Sequence, residues 1–459
     1  MKAQRSDFAF DQAAEIIEYC KLECRLLAAL IADLRNKFEF VGMNGFPYEG
    51  PGPVAGRTLS AQLGAGQAKR WAQSVPAPVD DYARRAYYGG RFEVAACGPI
   101  AQRVYEYDIR SAYPDAMRSL PCLEHGEWRR GVHSDLYVAH VTWDAGPSRP
   151  GSMGPLPWRS PKGNIQFPMS CTGGGWYWSV ELPDDAEVLD AWSYVSRCAC
   201  TPFDWVEDMY DQRRSLEAVT KGSGIGLKLV LNSLYGKLAQ RVGTAPFYNP
   251  VWAGLITAMT RAKIYDVYRN HPGKVIMFAT DAVFLVESAP ELPLSGRLGD
   301  WEQDGPYDSF CIFKPGVYFD GGTAKFKTRG VPKAEFTARA DEFEMCAQMY
   351  LPQKHPNAER YGIRLERSNH LSLRQGMKRG PTWYDRIGNW IPQPSIESPD
   401  VRRKRIPHIE YIGNTAWTLP YRNRDEPTTP YDKGLADEIE LLRIELDRVS
   451  EAAYDNVYD

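Results

Sequence analysis

The chain has 459 residues, of which 43% are hydrophobic and 12% aromatic, enough to bury a sizeable core and too apolar for a disordered chain. With 55 Lys+Arg against 58 Asp+Glu, the formal net charge of −3 gives no overall basic footprint, so any phosphate contact must rest on local patches. No apolar run reaches the ~18 residues of a membrane helix, and the opening MKAQRSDFAF lacks the apolar stretch of a secretory signal. Nine cysteines, an odd count, read as reduced thiols in a cytoplasmic chain. The closest pair, Cys198 and Cys200, has no matching second pair or paired histidine nearby, so no zinc site is expected there.

Residues 12–35 carry apolar side chains at helical spacing (Ile16, Leu22, Leu26, Leu27, Leu30) and predict a helix of about six turns. The Gly- and Pro-rich stretch 42–56 reads as a loop or boundary, and a second breaker-rich stretch, 145–164, interrupts a strand-like region. Helical patterns follow at Asp204–Glu217 and Ile225–Gln240, joined by KGSG so tightly that the two helices must run roughly antiparallel. A third helix is predicted from Val251 to Arg269. Val275 to Val286 reads as two apolar strands hinged at Ala279-Thr280. Leu435 to Ala453 shows a short 4-3-4-3-4 apolar seam, the pattern of a helix docked on its own protein. The whole predicts a mixed α+β chain of about three domain-sized units.

Three segments carry chemistry. In VYEYDIRSAYP (104–114) a β-type run delivers Asp108 at its end and then turns through Ser111, so an acid at a strand end precedes backbone N–H groups that can face an anion. In KLVLNSLYGK (228–237), Lys228, Asn232 and Tyr235 fall at i, i+4 and i+7 on one helical stripe. A cation, an amide and a phenol there suit a phosphate-bearing ligand with a flat ring. In VIMFATDAVFLV (275–286), Asp281 sits at the tip of an apolar hairpin, held where it can be aimed at a second acid.

In this order and spacing the segments resemble the motifs of family B DNA polymerases. DIRSAYP resembles motif A, KLVLNSLYG matches the K-x-x-x-N-S-x-Y-G of motif B, and ATDA stands where the D-T-D-S of motif C belongs. AYYGGR (86–91) resembles the Y-x-G-G element, and FKPGVYF (313–319) with KFKTRG (325–330) resembles the segment gripping the primer–template end. The resemblance implies a right-hand polymerase with an antiparallel-sheet palm, two-helix fingers and a mixed thumb. It divides the chain into an N-terminal helix (1–41), a pre-palm region (42–107), palm (108–204 and 241–335, with an insertion near 145–175), fingers (205–240) and a thumb with a C-terminal helix (336–459).

The same resemblance implies a role for each matched residue. Asp108 and Asp281, with the Ile109 carbonyl, would hold two Mg²⁺ ions, Mn²⁺ being a substitute. Ser111, Ala112, Tyr113, Arg213, Lys228, Asn232 and Tyr235 would bind the dNTP, Tyr113 excluding a 2′-hydroxyl and Arg213 being favoured over Arg214 by the Y-x-x-R spacing from Tyr210. Tyr87, Gly89, Gly90, Lys314, Tyr318, Lys325, Lys327 and Arg329 would contact primer–template DNA. Basic clusters at 364–380 and 402–405 fit a thumb over the duplex.

Two departures stand out: Ala279 replaces the first acid of motif C, and Gly316-Val317-Tyr318 lacks the lysine of the primer-gripping element. They leave a catalytically weak or inactive scaffolding subunit as the alternative to a polymerase. Tyr19 to Glu23 resembles the third exonuclease motif, with Glu in the Asp position. The residues before Tyr19 leave no room for the first two motifs, so the expectation is a chain without its own proofreading, through an exonuclease that is lost, one that is encoded separately, or a chain that begins late. A separate exonuclease or accessory chain, if it supplies the domain, would join at the 12–35 helix.

Overall fold

The computed structural model describes residues 13–40 and 50–328, apart from 65, 67–69, 72, 150, 160–164, 242–244, 315 and 324–325, together with four short strands further along. Among the described residues up to 328 there are seven α-helices and fifteen strands. They are α1 (Ala13–Phe40), α2 (Pro51–Leu63), α3 (Ala77–Arg85), β1 (Arg91–Val94), β2 (Ala96–Pro99), β3 (Val104–Ile109) and α4 (Ala112–Arg118). Next come β4 (Gly126–Arg130), β5 (Tyr137–Asp144), β6 (Trp158–Arg159), β7 (Ile165–Gln166), β8 (Ser170–Trp178) and β9 (Glu187–Ser196). Helices α5 (Trp205–Val219), α6 (Ile225–Ala239) and α7 (Pro250–Asn270) follow. Last are β10 (Val275–Thr280), β11 (Ala282–Leu285), β12 (Trp301–Tyr307), β13 (Phe310–Lys314), β14 (Val317–Asp320) and β15 (Phe326–Thr328).

The helices end where their caps allow. Asp204 accepts from the Trp205 N–H at the head of α5, and Asn249 accepts from the Val251 and Trp252 N–H groups with Pro250 in the first turn of α7. One expectation fails here. Residues 51–56, read as part of a loop, all belong to α2, because Pro51 occupies the first helical position, where a missing N–H costs nothing. Val54, Ala55 and Leu59 then line its buried face. The 12–35 helix extends to Phe40, where Phe38 joins the core, while Leu22, Leu26, Leu27 and Leu30 remain exposed.

Helix α7 lies at the centre. Val251 through Ala258 are all buried, so the helix shows little amphipathic contrast, as expected of a helix enclosed on every side. Trp252 meets Trp71 and Phe203 edge-on at 5.3 and 4.9 Å, and its indole N–H donates to the Pro121 carbonyl. The stretch 145–175 is tied to α7 as well: Met153 donates its N–H to the Tyr268 hydroxyl and accepts from that of Tyr265.

Two antiparallel sheets matter for the site. One has the order β4-β9-β5-β8. The other has the order β1-β10-β11-β3-β12, in which strands from distant parts of the chain interleave. In the second sheet Phe92, Ala279, Ala282, Asp108 and Glu302 stand opposite one another in a single row and share one face. Two positions along, the row reads Val94, Met277, Phe284, Glu106 and Asp304. Between them, on the other face, Tyr107 and Phe278 enter the core. Of the sequence expectations, the 435–453 helix and the 370–380 part of the basic clusters lie outside the described residues. Glu366–Asn369 and Arg403–Arg405 form short strands. Among the described residues, no helix is long and apolar enough to cross a membrane.

Candidate active site

Asp108 comes from β3 and Asp281 from the two-residue turn between β10 and β11, one strand away. Ala282 stands directly opposite Asp108, and the Ile109 N–H donates to the Asp281 carbonyl at 3.0 Å. The hinge therefore falls at Thr280-Asp281, one residue later than the sequence pattern suggests. Both acid-bearing segments hold their backbones in the left-handed region, Ser111 at φ 52° and Thr280 at φ 70°. For a β-branched residue such as Thr280 this is strain, which tends to persist where surrounding structure enforces it for function. Gly90 is part of that enforcement: a Cβ there would lie 2.7 Å from the Thr280 methyl and 3.0 Å from the Tyr113 hydroxyl oxygen.

The electrostatics follow from crowding. The Asp108 carboxyl is pushed up to about 7, first by loss of hydration and then by the neighbouring Asp281 and Glu106 carboxylates, with Lys327 pulling the other way. Solvent still reaches Asp108, which tempers the effect of burial beside that of the facing like charges. Asp281 is raised too, mainly by burial, against its own backbone hydrogen bond and Lys327. Glu106, nearly buried, accepts from the Tyr307 hydroxyl at 2.9 Å. Two converging carboxylates with a carbonyl beside them form a hard, all-oxygen, electron-rich donor set, the chemistry that suits Mg²⁺ or Mn²⁺.

Around the pair the other predicted residues fall into groups. Tyr113 stacks obliquely on Tyr235 of α6, ring centroids 4.6 Å apart, and the Tyr235 and Tyr87 hydroxyls are hydrogen-bonded at 2.6 Å. The Tyr113 hydroxyl is pushed up to about 12, by burial first and by Asp281 next. Arg213 of α5 reaches the Ser111 hydroxyl at 3.5 Å, whereas Arg214 packs against Gly296. Lys228 and Asn232 lie exposed along the same helix as Tyr235, and Ala112 is buried at the start of α4. Lys327, read as a DNA contact, sits within electrostatic reach of both aspartates.

One expectation needs correction, and three predicted DNA-contact side chains fall outside the described residues. Tyr318 is 1% exposed and packed against Phe284 and Phe310, so it is a core residue and cannot touch DNA as drawn. Tyr19 and Glu23 form an i, i+4 hydrogen bond on α1. The Lys314 side chain, Lys325 and Arg329 lie outside the described residues.

Arg261 was missed by sequence reading. It is 3% exposed, pairs through two hydrogen bonds with Glu181, and donates to the carbonyls of Tyr88 and Gly89 at 2.7 and 2.8 Å, holding the Y-x-G-G segment against α7. The signal was present: at helical spacing from Ala258 and Ile264 it falls on the buried stripe, where a lone arginine must be paired.

An antiparallel sheet thus presents Asp108 and Asp281 on adjacent elements, and Tyr113 of α4 stacks on Tyr235 of α6. The profile of DNA polymerase type B, organellar and viral, matches residues 3–247. The chain belongs to that family. It is 26% identical over 256 residues to a DNA polymerase of Acidianus bottle-shaped virus (isolate Italy/Pozzuoli), a match spanning 50% of this chain and 37% of that relative. In fold it is similar to Phi29 DNA polymerase complexed with single-stranded DNA, with a TM-score of 0.50 and 15% identity over 66% of this chain and 63% of the other. The orthorhombic form of Phi29 DNA polymerase gives a TM-score of 0.50 and 17% identity, over 62% and 61%. The chain thus spans little more than a third of the viral relative and under two thirds of the Phi29 enzyme. The likeness to the latter is one of right-hand polymerase fold.

Proposed function

We propose that this chain is a DNA-directed DNA polymerase, extending a primer 3′-hydroxyl with deoxynucleotides on a DNA template. The observation that carries the reading is the placement of Asp108 on β3 beside Asp281 in the turn that leads into the neighbouring strand β11, with Tyr113 and Tyr235 stacked on one another and Arg213 reaching Ser111. In this reading the two sheets form the palm, α5 and α6 the fingers, and residues 336–459 the thumb.

Asp108 and Asp281, with the Ile109 carbonyl, would hold two divalent ions, Mg²⁺ or Mn²⁺, which when bound would supply Lewis acidity at the 3′-hydroxyl and charge compensation at the triphosphate. The rest belongs to the chain. The first N–H groups of α4, which no helical carbonyl can satisfy, face the triphosphate after Ser111 turns the backbone. Arg213 and Lys228 approach it from the fingers, while Asn232 and Tyr235 flank the nascent base pair. Tyr113 lies under the sugar, wedged by Tyr235 on one side and the Gly90 backbone on the other. Extension of a labelled primer–template with Mg²⁺ and dNTPs tests the reading. Stepwise, template-dependent products are expected, and their absence despite salt-sensitive DNA binding would favour the scaffolding alternative.

Two results follow from the geometry. Tyr113→Ala opens the space under the sugar. Because forcing extra atoms into a packed site costs about 1–3 kcal/mol, discrimination against ribonucleotides should fall ~10–100-fold, read as the ratio of kcat/KM for dNTP and NTP. Unchanged discrimination would remove Tyr113 from this role.

The second concerns pH. With Asp108 raised to about 7, the metal-free fold binds more protons than the unfolded chain, so its stability falls as pH climbs through that value. Metal binding must displace the proton below it. The Mg²⁺ concentration for half-maximal extension should therefore rise by up to ~10-fold per pH unit below about 7 and level off above, in a titration of extension rate against Mg²⁺ at several pH values.

A further inference from the structure

Away from the aspartates, Cys122, His125, Cys198 and Cys200 gather at one end of the β4–β9 ladder, with all four ligand atoms within 4.8 Å of one another. The expectation that Cys198 and Cys200 lack partners is overturned by topology. Gly126 of β4 faces Ser196 of β9, and the Arg197 N–H donates to the His125 carbonyl at 2.7 Å. The two loops therefore leave the paired strands side by side. The missing half of the ligand set is a C-x-x-H spacing, Cys122 to His125, far upstream in the chain.

The distances fit a metal tetrahedron. The sulfurs of Cys122 and Cys200 each lie 3.6 Å from His125 Nδ1. Zinc bonded at about 2.3 Å to sulfur and about 2.0 Å to nitrogen in tetrahedral geometry requires a sulfur–nitrogen edge of roughly 3.5–3.6 Å. Three thiols and an imidazole, with no carboxylate among them, form a soft set that disfavours Mg²⁺ or Ca²⁺. The surroundings orient it. Trp252 holds the Pro121 carbonyl, fixing the loop just before Cys122. Trp71 donates to Glu124 Oε2, which stands 4.0 Å from His125 Nε2, so a carboxylate lies on the far side of the imidazole. The four cysteine and histidine side chains include both buried and exposed members, so an ion can enter from solvent.

We propose that Cys122, His125, Cys198 and Cys200 bind one Zn²⁺ in a closed structural site. The ion straps the loop after α4, the helix that follows Asp108, to the loop leading into α5, the helix that carries Arg213. It thereby fixes how the α5–α6 pair leaves the sheet.

The test uses the full chain. After dialysis against metal-free buffer, mass spectrometry should find about one zinc per chain, and cobalt reconstitution should give a thiolate-to-cobalt charge-transfer absorption. A Cys198→Ser/Cys200→Ser variant should lose both, with a lower melting temperature, while Cys24→Ser, altering an exposed cysteine of α1, should keep both. Loss of a structural ion can unfold the double variant, so the unmodified chain decides. Zinc removed by dialysis with no thiolate–cobalt band would overturn the site. So would a thiol count, without reductant, two below the nine cysteines, because a disulfide would then hold the sulfurs.

Discussion

Asp108→Asn and Asp281→Asn should each lower primer extension by at least ~10³-fold while leaving the fold intact, as read by single-turnover incorporation beside thermal melting. The two amides keep the shape of the carboxyl but remove the charge that a divalent ion requires. The repulsion that raises Asp108 disappears in either variant, so in chelator at pH 8 both should melt at or slightly above the temperature of the unaltered chain. Because solvent reaches Asp108, that gain should be small, about 1 kcal/mol or less. Loss of activity with unchanged or higher melting separates an active-site role from a structural one. Substantial extension by Asp281→Asn would show that the hairpin aspartate is not a metal ligand. Ala279, which stands where relatives carry an acid, lies in the same cross-sheet row as Asp108 but with Ala282 between them. Two small side chains keep that row open, leaving the second carboxylate to the turn.

Arg261→Met should destabilise the chain by about 3–5 kcal/mol, because it strands Glu181 without a partner in an apolar interior. Urea melts would read this directly. Arg261→Lys should recover little, since one ammonium cannot serve two carboxylate oxygens and two carbonyls with the same fixed fork. A double variant, Arg261→Met/Glu181→Leu, should regain much of the stability. It should not regain activity, because the Tyr88 and Gly89 carbonyls lose their anchor and Gly90 no longer braces Thr280 and Tyr113. If the double variant recovers both, the arginine serves the fold alone.

Local pattern was legible in the sequence and distant assembly was not. The helices at 205–219, 225–239 and 250–270 differ from their expected ends by only one or two residues, because apolar spacing and the caps Asp204 and Asn249 are local signals. Helix 51–63 was hidden by Gly50, Pro51, Gly52 and Pro53, which mark a loop in composition but a helix start in position. Tyr318 was misplaced because a short motif fixes residue type, whereas the alternation of β14 decides which face turns inward. A local motif spacing singled out Arg213, but its approach to Ser111, the pairing of Arg261 with Glu181 and that of Cys200 with His125 join distant parts of the chain. Only the closed fold reveals such pairings.

The strand order has a kinetic side. Strand β3, carrying Asp108, takes both its neighbours, β11 and β12, from residues about 170–200 positions later. At synthesis rates of roughly 5–20 residues per second, the strand waits on the order of 10–40 s on the ribosome before either neighbour exists. Tyr107 and Ile109, both destined for the interior, stay uncovered by those neighbours for that interval. A fragment ending after the helix pair would carry one aspartate on an open strand edge, free to pair with another chain instead of with β11.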